Sequence, residues 1–236
     1  MIHSTYKKYK SMKRIVLMAA IACLALGANA QKVTKPSDGT FGLELQMNPF
    51  DQNGKTFSLD GLKMRYFFNS ENALRAKIGF DVTKNKVTSD AGNSDDPDPY
   101  TSKTTGSFKF DVGYERHFDL GERFDAYVGG EVGVVRGFAK TKSFVDDDNW
   151  TKTKNADGAN VGFHVAALTG VDFYVYKSLY IGAELSLGVE STVNKQSETT
   201  TKSGGRETTT KGPDVKGRTT TAGISVQPLL RLGWNF

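Results

Sequence analysis

The chain has 236 residues, 38% of them hydrophobic and 24% charged, with a net charge of +5. That excess is local: Lys7, Lys8, Lys10, Lys13 and Arg14 lie in the first thirty residues, which hold no Asp or Glu, and the remainder carries 26 basic against 26 acidic groups. A formally neutral body leaves no footprint for nucleic-acid binding, and a single cysteine, Cys23, excludes a disulfide framework.

The N-terminal stretch has a basic start, an apolar run from Ile15 to Ala28, and Ala28-Asn29-Ala30 ahead of Gln31. This is the layout of a secretory signal peptide over residues 1–30, with Met12 an alternative true start. The run is about 14 residues, short of the ~20 that span a bilayer as a helix. A retained anchor or a lipoprotein acylated at Cys23 are the alternatives. The second lacks the usual Leu three positions before the cysteine. Cleavage at Ala30 predicts an exported chain, residues 31–236, without a thiol.

From there the chain alternates with period two, the period of a strand that meets different surroundings on its two sides. Eight segments are predicted. The first sets Phe41, Leu43, Leu45 and Met47 against Gly42, Glu44, Gln46 and Asn48. The second sets Leu62, Met64, Tyr66 and Phe68 against Lys63 and Arg65. The third sets Leu74, Ala76, Ile78, Phe80 and Val82 against Arg75, Lys77, Gly79 and Asp81. The fourth sets Phe108, Phe110, Val112 and Tyr114 against Lys109, Asp111, Gly113 and Glu115. The fifth carries Phe124, Ala126, Val128, Val132 and Val134 on its apolar face, with Tyr127, Gly129, Glu131 and Gly133 opposite. The sixth opposes Val161, Phe163, Val165, Val171 and Phe173 to Gly162, His164, Gly170 and Asp172. The seventh opposes Leu179, Ile181, Ala183, Leu185, Leu187 and Val189 to Tyr180, Gly182, Glu184, Ser186 and Glu190. The eighth runs from Ile224 to the end, with Leu230, Leu232, Trp234 and Phe236 on one face and Arg231, Gly233 and Asn235 on the other.

Connections alternate in length. Those after segments two, four and six are tight (NSENA, DLGER, YKS), whereas residues 83–105, 140–158 and 191–220 form long polar loops. A soluble sandwich has no reason to sort its loops by parity, and its polar face would be rich in long Lys and Glu. Here that face is rich in Gly with charges of both signs, which suits a narrow interior. The other face is nearly free of charge, which suits lipid. Aromatics gather at the tight-turn end (Tyr66, Phe68, Phe118, Phe124, Phe173, Tyr180, Trp234, Phe236) and read as an interfacial girdle. The fold class is all-β: an eight-stranded antiparallel up-and-down transmembrane barrel, closed because an open edge in hydrocarbon leaves backbone groups unpaired.

The leader, the eight amphipathic segments and the terminal RLGWNF together resemble small outer-membrane β-barrel proteins of the OmpX and OmpA-barrel type. The resemblance implies insertion into the outer membrane of a Gram-negative bacterium with both termini periplasmic. It implies that Leu230, Leu232, Trp234 and Phe236 are an assembly signal read by the barrel-assembly machinery.

An eight-stranded barrel holds little more than its own side chains. The inward charges are therefore expected to pair as a lumenal network: Glu44, Lys63, Arg65, Arg75, Lys77, Asp81, Lys109, Asp111, Glu115, Glu131, Asp172, Glu184 and Arg231. Of the mature chain's two histidines, His117 lies near the tight-turn end, and His164 faces the interior toward the loop end, within reach of a lumenal Ser or Glu. Neither stands beside a lipid-facing Ser, so no catalytic site, cofactor or metal is expected. The acidic stretches SDDPDPY and DDDNW lack the spacing of a calcium loop. ETTTK occurs at 198–202 and again at 207–211 around Gly204-Gly205, which predicts either a projecting hairpin, with 199 opposite 210 and 179 opposite 230, or a flexible threonine-rich loop. The expected function is a structural or surface-interaction barrel. The outer-membrane lipid is its solvent, and the long loops are available to a ligand or protein outside the cell. A narrow porin-like channel is the alternative and a lipid-modifying enzyme the distant one.

Overall fold

A computed structural model describes residues 33–48, 58–89, 97–155, 159–213 and 217–236. The predicted leader lies outside them, as does DQNGK at 51–55, where Asn-Gly predicts a short turn after the first segment. Eleven strands occur in chain order, with no helix among the described residues: β1 (Phe41–Asn48), β2 (Ser58–Asn69), β3 (Asn72–Thr88), β4 (Tyr100–Asp119), β5 (Phe124–Asp146), β6 (Asn149–Lys154), β7 (Asn160–Tyr176), β8 (Leu179–Asn194), β9 (Glu198–Ser203), β10 (Arg206–Lys211) and β11 (Arg218–Asn235). Eight of them, β1–β5, β7, β8 and β11, pair antiparallel into a ring. The seam is β1 on β11, from Gly42 opposite Asn235 to Met47 opposite Leu230, and β5 on β7 completes the circuit. The eight segments read from the alternation are these eight strands.

The ring is inside out relative to a water-soluble protein. Val128, Val132, Val134, Phe163, Leu185 and Leu187 stand outward and exposed, while Arg65, Arg231, Lys63, Glu115 and Asp172 are fully buried within. Tyr66, Phe68, Phe118, Phe124, Trp234 and Phe236 face outward at the tight-turn end. Tyr180 does not belong with them: it is buried inside the ring, because it alternates with the outward Leu179 and Ile181.

The three long loops are mostly strand. Residues 83–88 and 100–105 continue β3 and β4, paired residue for residue from Thr83–Thr105 to Thr88–Tyr100. Residues 140–146 continue β5, and β6 folds back on it around an Asp146–Asn149 turn. The ETTTK repeats form the β9–β10 hairpin, with Thr199 opposite Thr210 and both turn glycines at positive φ. This hairpin does not prolong β8 and β11. It pairs with β6 instead, giving a sheet that rises from one side of the ring in the order β3, β4, β5, β6, β9, β10. The predicted pairing of 179 with 230 is thereby corrected: Leu179 opposes Trp234, since the hairpin leaves the ladder before β8 meets β11 and an irregularity between Gln227 and Arg231 shifts it further.

The segment before β1 crosses the tight-turn end as a strap. Thr34 N–H donates to Lys177 O between β7 and β8 (3.1 Å). Lys35 Nζ donates to Asp119 Oδ1, Gly121 O and Phe124 O at the β4–β5 turn (2.6, 2.6 and 2.7 Å). Gly39 N–H donates to Phe67 O beside the β2–β3 turn (2.9 Å), and Pro36 is buried beneath. Lys35, with help from the Gly121 N–H, holds the Asp119 carboxyl below its ordinary range.

Close approach fixes several interior positions. A Cβ at Gly233 would fall 2.0 Å from the Tyr180 ring, whereas one at Gly223, farther along the same strand, meets nothing within 4 Å. Gly233→Ala is expected to lower the stability of the refolded barrel by about 1–3 kcal/mol through overpacking. Gly223→Ala should leave the urea midpoint of the folded, gel-shifted band unchanged.

Candidate functional site: a polar interior and a basic outer face

Large polar side chains inside the ring sit opposite glycines on the neighbouring strand. Glu131 opposes Gly113, Asp111 opposes Gly133 and Glu115 opposes Gly129. Glu44 opposes Gly233, Arg231 and Asp172 both oppose Gly182, and Tyr127 opposes Gly170. Alternating bulk with bare backbone lets long side chains lie across a bore that could not hold two of them at one level.

Across that bore the charges pair. Arg65 reaches Asp172 Oδ2 (2.6 Å) and Glu115 Oε2 (2.7 Å). Arg231 on the last strand reaches Asp172 Oδ1 (2.7 Å) and Glu44 Oε2 on the first (3.2 Å). Arg75 bridges Glu115, Glu131 and Glu184 at 2.8, 3.0 and 3.0 Å. Lys63 lies 3.1 Å from Glu44 and 3.4 Å from Glu184. Tyrosines fill the gaps: Tyr127 Oη donates to Glu184 (2.5 Å) and Tyr180 Oη to Glu44 (3.0 Å). The Arg65 guanidinium also lies 4.7 Å from the Tyr127 ring centroid, within cation–π range.

Among the described residues the buried set holds seven carboxylates, Asp125 among them, against four Lys and Arg. The histidines contact carboxylates too, His117 at a Glu115 oxygen that Arg65 also reaches. His117 lies between Glu115 Oε2 (3.0 Å) and Asp125 Oδ2 (2.9 Å). His164 Nδ1 lies 3.2 Å from Asp111 Oδ1. Asp111, Glu131 and His164 offer three ligand atoms within 4.8 Å of one another, the one group of metal-ligating type among the described residues. Arg75 already occupies the Glu131 carboxylate.

Of the residues singled out from sequence, Glu44, Lys63, Arg65, Arg75, Asp111, Glu115, Glu131, Asp172, Glu184 and Arg231 lie buried together. Lys77, Asp81 and Lys109 are more open, Lys77 although it shares a cross-strand row with the buried Lys63 and Asp111. Lys109 pairs with Glu190 (2.6 Å), and Asp81 accepts from Ser107. Asp125, Gln46 and the three interior tyrosines Tyr127, Tyr174 and Tyr180 join the buried set, beyond the charges that the sequence assigns to it. Parity placed Tyr127 inside. Tyr180 had the same signal and was outweighed by its position near the girdle. Leu232, Trp234 and Phe236 face outward at the end of β11; the side chain of Leu230 lies outside the described set. In DDDNW the carboxylates serve the turn: Asp146 accepts from Asp148 N–H and Asn149 Nδ2, and Asp148 pairs with Lys202.

Above the apolar belt, on its outward face, β3, β4 and β5 present a shallow pocket of about 200 Å³ lined by Lys84, Lys86, Tyr100, Ser102, Thr104, Lys140 and Lys142. Lys86 Nζ lies 4.3 Å and Lys142 Nζ 5.4 Å from the Tyr100 ring centroid. A hydrogen bond from Lys142 holds the Tyr100 phenol below its ordinary range. No amphipathicity argument selects these lysines, since they share parity with the lipid-facing residues below them.

Removing one cation from the interior weakens the pairing of its carboxylates without stranding them: after Arg231→Ala, Glu44 keeps Lys63 and Asp172 keeps Arg65. The loss expected in the urea unfolding of the refolded barrel is therefore below the about 3–5 kcal/mol of a fully broken buried pair.

The model of the putative OmpA-OmpF-like porin family matches residues 45–191, from β1 into β8. No curated protein matches. Among solved structures, Ail, the attachment invasion locus protein of Yersinia pestis, is similar at 14% identity and a TM-score of 0.34, with 84% of this chain and 95% of that chain covered. A ring that closes on itself, an apolar outer belt and a family match over more than half the residues lead to one assignment: the chain belongs to the putative OmpA-OmpF-like porin family and is a β-barrel of the Gram-negative outer membrane.

Proposed function

We propose that this barrel is a non-conducting, non-enzymatic outer-membrane protein whose role is structural and surface-directed. The long-strand end faces outward from the cell and both termini face the periplasm. The observation that carries this reading is the filled bore. Arg65, Arg231, Tyr127, Tyr174, Tyr180 and Lys63 are fully buried, and their charged groups are cross-linked by contacts of 2.6–3.4 Å. The strap with Pro36 supports it by covering the opposite end. A solute path would require several of these pairs to separate in a medium where an unpaired charge is costly. Catalysis has little support: the side chain that His164 contacts by a hydrogen bond is a carboxylate, Asp111 Oδ1 at 3.2 Å, and not a hydroxyl nucleophile. The sheet β3–β6, β9 and β10 supplies the surface for a ligand or protein outside.

Purified barrel added to planar bilayers is expected to give no discrete channel openings. Reproducible ohmic steps would overturn the filled-bore reading in favour of a narrow channel.

The terminal face Leu230, Leu232, Trp234 and Phe236 is proposed to be the signal for the barrel-assembly machinery. Its support is position: Phe236 closes the seam with β1, its N–H donating to Phe41 O (2.7 Å), while its ring stays exposed. Phe236→Ala is expected to reduce folded protein in outer-membrane fractions several-fold while refolding in detergent proceeds at the parent yield. Equal loss in both settings would make the residue merely structural.

A further inference from the structure

The outward face of β3 and β4 changes character over one pair of residues, and on β5 Arg136 precedes the change by two rows. Successive cross-strand rows read Ile78–Phe110–Val134, Phe80–Phe108–Arg136 and Val82–Gly106–Phe138, then Lys84–Thr104–Lys140 and Lys86–Ser102–Lys142. Rows on one face are two residues, about 7 Å, apart along a strand. The first lysine row therefore begins about one row above the last aromatic one, where Phe80 and Phe138 stack at 6.5 Å. A second stacked pair, Tyr100 and Phe144 at 5.2 Å, closes the band from above. Four ammonium groups, a phenol and two hydroxyls thus converge between two aromatic pairs. No carboxylate among the described residues lies within ion-pair distance of any of the four lysines.

We infer that Lys84, Lys86, Lys140 and Lys142 bind the phosphate groups of outer-leaflet lipid. Height and direction favour a lipid over a soluble polyanion. The pocket lies on the barrel's flank, directly over residues that contact acyl chains, so a lipid seated on Phe80 and Phe138 carries its headgroup to the lysines. Ser102 and Thr104 add hydroxyl donors between the ammonium rows. Lys152, opposite Lys142 on β6, extends the row sideways. The attraction of such cations to an anionic surface decays within a Debye length.

The inference rests on the proposed orientation of the barrel, which is decided separately. Thr209→Cys, exposed on β10, should react with a membrane-impermeant maleimide on intact cells whether or not lipid binds the pocket. For the site itself, the refolded mature chain in neutral detergent is titrated with bis-phosphorylated lipid A and with the same lipid stripped of phosphate. The parent protein should prefer the phosphorylated form by at least about tenfold, and rising salt should erode that preference. The variant Lys84→Gln/Lys86→Gln/Lys140→Gln/Lys142→Gln should lose it while keeping the gel shift of a folded barrel. A charge-matched control, Lys103→Gln/Lys195→Gln/Arg206→Gln/Lys211→Gln, should retain it. The site is refuted if the two lipids bind alike, if both quadruple variants lose affinity equally, or if a soluble sulfated polysaccharide binds the four lysines while lipid A ignores their loss.

Discussion

Closing eight strands into a ring leaves a bore that only side chains can fill, and the surrounding hydrocarbon makes any gap in that filling expensive. The chain meets this constraint with polar rather than apolar interior groups. An apolar interior would make both faces of each strand alike, and a register slip of one residue would then cost little. With charge inside and hydrocarbon outside, a one-residue slip puts Arg65 or Glu115 into lipid and is strongly disfavoured. The interior chemistry thus enforces the alternation that the outer face alone could not.

The ion pairs also couple strands that are remote in sequence. Arg231 on β11 joins Glu44 on β1 and Asp172 on β7; Arg65 on β2 joins the same Asp172. Arg65 to Asp172 crosses the bore and Arg231 to Glu44 crosses the β1–β11 seam, so neither exists in an open sheet, whereas Arg231 reaches Asp172 over Gly182 of the strand between them. Their net contribution to stability is small or even unfavourable against an apolar core of equal volume. What they supply is a penalty on incomplete closure: a sheet that stops short of the β1–β11 seam leaves Arg231 and Glu44 charged in a poorly solvated bore. Arginine suits this role because its planar fork addresses two or three carboxylates at once, as Arg75 does with Glu115, Glu131 and Glu184.

Much of this was legible in the sequence because parity is a strong signal when the two sides of a sheet differ so much. Ring strands, outer face, inner face and the direction of the tight turns all follow from it. Glycine on the polar face pointed to a narrow bore, and the opposition of Glu131 to Gly113 and Arg231 to Gly182 gives the reason. What escaped was what period two does not encode. Threonine- and lysine-rich stretches such as TKNKVT continue as strand past the belt, yet their alternation loses its contrast once both faces meet water. The choice of β6 over β8 as partner of β9 depends on cross-strand threonine contacts, Thr153 with Thr199 at 3.1 Å among them, that no single segment reveals. The strap from Val33 to Thr40 carries no periodicity because it holds the turns through backbone groups and one lysine.

The outer face shows how one parity serves two solvents. From Ile78 to Lys86 every second residue of β3 points the same way, yet the sequence passes from Ile and Phe through Val to Lys. Backbone pairing is unaffected by this change: β3 and β4 remain in register from Asn72 opposite Arg116 to Thr88 opposite Tyr100. Only the medium changes, and the side chains record where. On β4 the switch falls between Phe108 and Thr104, on the same cross-strand rows as on β3, while on β5 Arg136, whose long side chain can reach upward, already stands in the Phe80–Phe108 row below Phe138 and Lys140. Two stretches of sequence therefore mark one level on the barrel, and the third sets its first cation two rows lower. A lysine one turn of the pleat lower would pay the cost of charge in hydrocarbon, whereas a phenylalanine one turn higher would expose its ring to water. The agreement of β3 and β4 supports that level as the proposed boundary between acyl chains and headgroups.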